Sequence, residues 1–105
     1  MKPKIICICG STRFKGAFMQ AQKDITMDGN IFLTVGIFGH SEDSEEFNKG
    51  TKKMLDKLHL QKIDLADEIY VVNMNGYIGE STRNEIDYAK SLNKQIKYLE
   101  EQEEQ

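Results

Sequence analysis

The chain lacks tryptophan, carries a single proline (Pro3) and only two cysteines, and has no excess of positive charge. Two cysteines are too few for a disulfide framework. Cys7 and Cys9 stand two apart in an apolar run, so on a strand they share one face. That spacing matches neither a redox motif nor a zinc site, and both read as buried packing residues. With 14 Lys+Arg against 17 Asp+Glu, there is no basic field to attract duplex nucleic acid. No run approaches the roughly 20 apolar residues of a membrane span. The first residues lead straight into a strand, unlike a secretory leader, so the expected location is cytoplasmic. No metal, cofactor, nucleic acid or membrane is implied.

What is present is an alternation of strand and helix signals over 105 residues. A chain of this size buries roughly 65% of its unfolded surface, which suffices for one core. Ile5-Ile6-Cys7-Ile8-Cys9 is a continuous apolar run of the kind covered on both faces. Phe14, Ala17, Phe18, Ala21 and Ile25 recur at helical spacing, and Gly29 can end that helix. Ile31 to Phe38 reads as a second strand, and Gly39 to Glu46 as a polar mobile loop. Phe47, Met54, Leu55, Leu58 and Ile63 can share a helix face up to Ala66. Glu68 to Asn73 is a third strand, Thr82 to Leu92 a third helix, and Gln95 to Leu99 a fourth strand.

Strands separated by helices imply parallel pairing through crossovers. The expected fold is α/β, a Rossmann- or flavodoxin-like three-layer fold with a four-stranded parallel sheet in order 2-1-3-4. One domain spans 1–99, and 100–105 is an acidic tail expected to be disordered.

In such a sheet, ligands bind at the carboxyl ends of the strands flanking the switch point, here the first and third. Two turn-rich loops follow those strands. Gly10-Ser11-Thr12-Arg13 offers a tight turn, hydroxyls and a cation beside a helix start, where an anion is favoured. The plainer reading is that Ser11 or Thr12 caps the helix and Arg13 is solvated. The second loop contributes Tyr77, Gly79 and Ser81, with Gly76 and Gly79 suited to unusual backbone angles or close ligand approach. Tyr77 suits stacking on a ligand, packing under its loop or a subunit contact.

Glu85 is the one carboxylate placed toward the crevice. Thr82-Arg83-Asn84-Glu85 also fits a capping box, with Thr82 as the cap. His59 neighbours Leu55 and Ile63 and reads as a boundary residue or an acid-base group. His40 falls in the mobile loop and reads as solvated. Asp64 and Asp67 close the long helix, where either suits a turn cap.

Ile8-Cys9-Gly10-Ser11-Thr12-Arg13, Ile63 to Asp67, and Gly79 to Ala89 followed by Lys94 resemble nucleoside 2-deoxyribosyltransferases and their deoxynucleoside 5'-monophosphate N-glycosidase relatives. The resemblance covers nearly the whole chain and is strongest in the last segment. It implies that Glu85 is a nucleophile toward the anomeric carbon of a 2-deoxyribosyl group, working by the retaining logic of glycosidases. It implies that Ser11 and Arg13 hold a 5'-phosphate, with Gly10 and Thr12 beside them. The ligand would be a small-molecule nucleoside or nucleotide, and the assembly a homodimer or higher homo-oligomer. Two positions depart from the family pattern. His59 stands where the family commonly has an aspartate, and is a candidate proton donor to the leaving base. Gly79 stands where an aspartate or serine is usual, with Glu80 and Ser81 as nearby substitutes. The alternative from another class is a non-catalytic nucleotide sensor on the same fold.

Overall fold

The computed structural model describes residues 2–38 and 49–102. Four strands, β1 (Ile5–Gly10), β2 (Ile31–Leu33), β3 (Glu68–Val72) and β4 (Gln95–Tyr98), alternate with α1 (Lys15–Met27), α2 (Lys49–Leu65) and α3 (Glu80–Ser91). All neighbouring strands pair in parallel, and their order is β2-β1-β3-β4. The expected order is therefore the observed one, with β1 and β3 flanking the switch point.

Alternation along β1 and β3 divides the core between the two faces of the sheet. Ile6, Ile8 and Val72 pack with Phe18, Ala21 and Ile25 of α1. Cys7, Cys9, Ile69 and Val71 pack on the other face with Ile63 of α2 and Ile86 and Ala89 of α3. This is the three-layer arrangement that a continuous apolar β1 requires, since both faces of that strand are covered. Cys7 and Cys9 do share a face, and both are fully buried.

Two element boundaries differ from the sequence reading. β2 ends at Leu33 rather than Phe38, because it pairs only Ile5 to Cys7 of β1. Beyond it the chain turns away, tethered by Gln22 Nε2 donating to Thr34 Oγ1 (3.2 Å) and Lys62 Nζ donating to the Thr34 carbonyl (2.7 Å). α3 starts at Glu80, with Gly79 in the cap position. Thr82 is thus inside the helix and buried, so the capping-box reading fails. Glu100, which the sequence reading assigned to the tail, is held to Asn73. Asn73 Nδ2 donates to the Glu100 carbonyl (2.9 Å), and the Glu100 amide donates back to Asn73 Oδ1 (2.8 Å). The loop expected over Gly39 to Glu46, with His40, and the helical role of Phe47 lie outside the described residues. Among the described residues, no helix is long and apolar enough to cross a membrane.

Candidate functional site

A cavity of about 360 Å³ opens over the carboxyl ends of β1 and β3. Gly10, Ser11, Thr12, Arg13, His59, Tyr77, Gly79, Ser81 and Glu85 all line it. The two loops singled out in the sequence therefore converge, as the switch-point rule requires. The remaining wall comes from Val35 to Ile37, displaced from β2, and from Lys52, Leu55, Asp56, Leu58 and Lys62 of α2. These wall residues carry no motif, and only the fold brings them to the loops.

Gly10 makes the first turn possible. Its φ of 148° is one that side chains rarely adopt, and a Cβ there would lie 2.8 Å from the Val72 carbonyl oxygen. The next residues form a single 3-10 turn, Thr12–Phe14, capped by Ser11, whose Oγ accepts from the Arg13 amide at 3.3 Å. Arg13 is not simply solvated. Its Nε donates to Ser11 Oγ (3.1 Å), and its guanidinium carbon lies 4.5 Å from the Tyr77 ring centroid. Tyr77 in turn meets Phe14 edge-on, with centroids 5.9 Å apart. Tyr77 thus packs across onto the turn that follows β1 and props Arg13 at the cavity rim. Gly79 adopts an ordinary φ of −77°, so its expected backbone freedom is unused there. Gly76 does use it, at φ 77°.

The early start of α3 decides where Glu85 points. Thr82, Glu85, Ile86 and Ala89 fall at i, i+3, i+4 and i+7, the inward stripe of the helix. Glu85 consequently faces His59 of α2, with Oε1 3.7 Å from Nε2 and side-chain exposures of 14% and 6%. Burial pushes the Glu85 carboxyl up to about 7, against the opposing pull of the His59 charge. His59 is itself surrounded. Its Nε2 lies 3.6 Å from Cys7 Sγ and 3.4 Å from Cys9 Sγ. Burial pulls the imidazole down, but the Cys7 thiol and the Glu85 charge outweigh it, and the pKa ends above the usual value. The bond from Cys9 brings Cys7 down to about 5, despite burial, with His59 assisting. Cys9, donating to Cys7 and desolvated, is raised. One buried nitrogen therefore joins two thiols and a carboxylate.

No family model matches the chain, and no curated protein matches it.

Asp64 and Asp67 lie away from this cavity, in structural roles. Asp67 Oδ2 accepts from the Ile5 amide at 2.8 Å, anchoring the start of β1. Asp64 Oδ1 accepts from the Tyr88 hydroxyl at 2.5 Å, and Lys94 Nζ donates to the Ala66 carbonyl at 2.7 Å. These contacts join the ends of α2, α3 and β4. Sequence reasoning missed the link between Cys7, Cys9 and His59. The period of two in β1 placed the thiols on one face, but nothing local indicated that α2 would set its histidine against them.

Proposed function

We propose that the protein cleaves or transfers the N-glycosidic bond of a 2'-deoxynucleoside or deoxynucleoside 5'-monophosphate, with Glu85 as nucleophile. The observation that carries this reading is a single cavity with a nearly buried carboxylate in its floor and a cation-bearing turn at its rim. The cavity is at the small end of the range for small-molecule sites, in keeping with a nucleotide. The likeness of the Gly79 to Ala89 segment to the 2-deoxyribosyltransferases supports it from the sequence side.

In this mechanism a Glu85 oxygen attacks the anomeric carbon as the bond to the base breaks, and the electron pair leaves with the base. The base gains a proton from solvent, and the sugar remains as an ester on Glu85. Water, or a second base, then attacks the same carbon and frees the carboxylate. The position of Nε2, facing Glu85 and the thiols, suits His59 to positioning: its charge opposes the protonation that burial favours at Glu85. Arg13 and the Gly10 to Thr12 turn would take a 5'-phosphate, since amides and a guanidinium complement that anion. The family likeness also implies a homodimer, which sedimentation would detect.

The second reading, a nucleotide sensor without chemistry, draws on the Glu85 pKa of about 7, which leaves much of the carboxylate protonated at neutral pH. Incubation with a panel of deoxynucleosides and their monophosphates, with chromatography for free base, separates the two. Base release that disappears in Glu85→Gln supports the enzyme. Saturable binding with no base release supports the sensor.

A further inference from the structure

Beneath the cavity floor, Cys7 Sγ, Cys9 Sγ and His59 Nε2 all lie within 4.8 Å of one another. Cys7 and Cys9 have no exposed surface, and His59 keeps 5%. Such burial by itself fits inert packing, because free cysteines behave as small hydrophobes. The arrangement around the nitrogen is more specific than packing needs. A single Nε2–H can be directed at only one acceptor, yet two sulfurs of β1 and a carboxylate oxygen of α3 stand at 3.4 to 3.7 Å from it. This is the geometry of groups gathered around a shared cation.

We propose that Cys7, Cys9 and His59 form a binding site for a thiophilic divalent cation, zinc in the first instance. With zinc–sulfur bonds of about 2.3 Å and zinc–nitrogen bonds of about 2.0 to 2.1 Å, a tetrahedral site separates sulfur from nitrogen by about 3.6 Å. The observed separations are 3.6 and 3.4 Å, so both thiols already stand at ligand spacing from the imidazole. The donor set, two thiolates and one imidazole, suits zinc over magnesium or calcium. Both cysteines bind as thiolates, any thiol proton still present passing to solvent, and the two thiolates balance the metal's charge within an apolar layer. Ile63, Ile69 and Val71 around the thiols hold that environment dry. The fourth position falls to Glu85 or to a ligand entering from the cavity, which is also the entry path, since His59 and Glu85 both line it.

The site goes beyond the glycosidic reading and is independent of it. Where both hold, an occupied site captures the imidazole that faces Glu85, and metal binding would suppress base release. The metal's own spectrum is the primary readout, so the site can be judged whether or not base release is ever detected.

The test is titration of the reduced full chain with Co²⁺ and with Zn²⁺, followed by zinc-edge X-ray absorption. One cobalt per chain is expected, with the intense visible bands of a tetrahedral ion and thiolate-to-metal charge transfer. The zinc spectrum should show two sulfurs at about 2.3 Å beside nitrogen or oxygen at about 2.0 Å. Cys7→Ala with Cys9→Ala should weaken uptake by more than about a hundredfold, beyond the usual effect of losing an outer partner of a ligand. Circular dichroism of that double variant checks its fold, and the wild-type spectra decide the matter if it does not fold. A shell of oxygen and nitrogen alone, a six-coordinate cobalt spectrum, no saturable uptake, or full uptake by a folded double variant would overturn the proposal.

Discussion

Glu85 Oε1 and His59 Nε2 face each other at 3.7 Å from two helices on the same side of the sheet, in a floor almost closed to water. A carboxylate desolvated this far takes up protons more tightly when folded than when unfolded. Its charge is then a cost to the fold and an asset to any nucleophilic chemistry.

That cost sets a pH dependence. The Glu85 pKa is raised from 4.5 to about 7, so between those values the native state holds the proton that the unfolded chain has lost. Its contribution to stability is therefore greatest below 4.5 and declines as pH rises through about 7. Relative to Glu85→Gln, which cannot titrate, the wild type should lose on the order of 2 kcal/mol between pH 5 and pH 8. Urea unfolding of the two proteins at matched pH values measures the difference.

Base release should have the opposite profile. The nucleophile must be ionised, so the rate should climb as pH rises through about 7. The Cys7 charge contributes to raising Glu85, so Cys7→Ala should shift the midpoint to lower pH. An unmoved midpoint in a folded Cys7→Ala protein would show that the thiol and carboxylate are not coupled. Glu85→Gln should abolish release by orders of magnitude while ligand still binds.

Arg13→Ala should weaken monophosphate binding by roughly 1.5 to 3 kcal/mol and leave nucleoside binding nearly unchanged, the loss being that of a charge-assisted hydrogen bond. Tyr77→Ala should reproduce part of this by releasing the guanidinium from its 4.5 Å stack. Calorimetric titration with a matched nucleoside and monophosphate distinguishes a phosphate contact from general damage to the cavity. Equal losses for both ligands would argue against it.

Gly10→Ala should destabilise the protein by about 3 kcal/mol, combining an unfavourable φ with contact against neighbouring backbone. The 2.8 Å approach to the Val72 carbonyl means that the strand ends themselves must separate, so any ligand affinity should fall along with the denaturation midpoint.

The sheet order was legible because β1 is apolar without interruption, which demands cover on both faces, and because helical stripes separate the strands. The misreadings were local. Thr82 and Glu85 have capping-box spacing, but the chain already turns helical at Glu80, and the same spacing then aligns both residues along the buried stripe. Val35 and Ile37 continue the β2 pattern in sequence, yet β2 pairing extends only to Leu33 opposite Cys7, and the chain is drawn off by the Lys62 contact. His59 read as a boundary residue or an acid-base group, but its thiol partners were not legible, since 50 and 52 residues separate it from them. Contacts of that span depend on how α2 is seated on the sheet, which no local pattern encodes.

The reciprocal bonds between Asn73 and Glu100 close a clasp between the exit of β4 and the turn that follows β3. Glu100 tightens it by accepting from the Asn75 amide through Oε2 at 2.6 Å. That turn leads directly to Tyr77, and Tyr77 supports Arg13. Whatever pulls on the chain beyond Leu99, whether a truncation, an appended tag or a bound partner, is therefore mechanically connected to the rim of the cavity. Glu100 is a handle on the cavity rim.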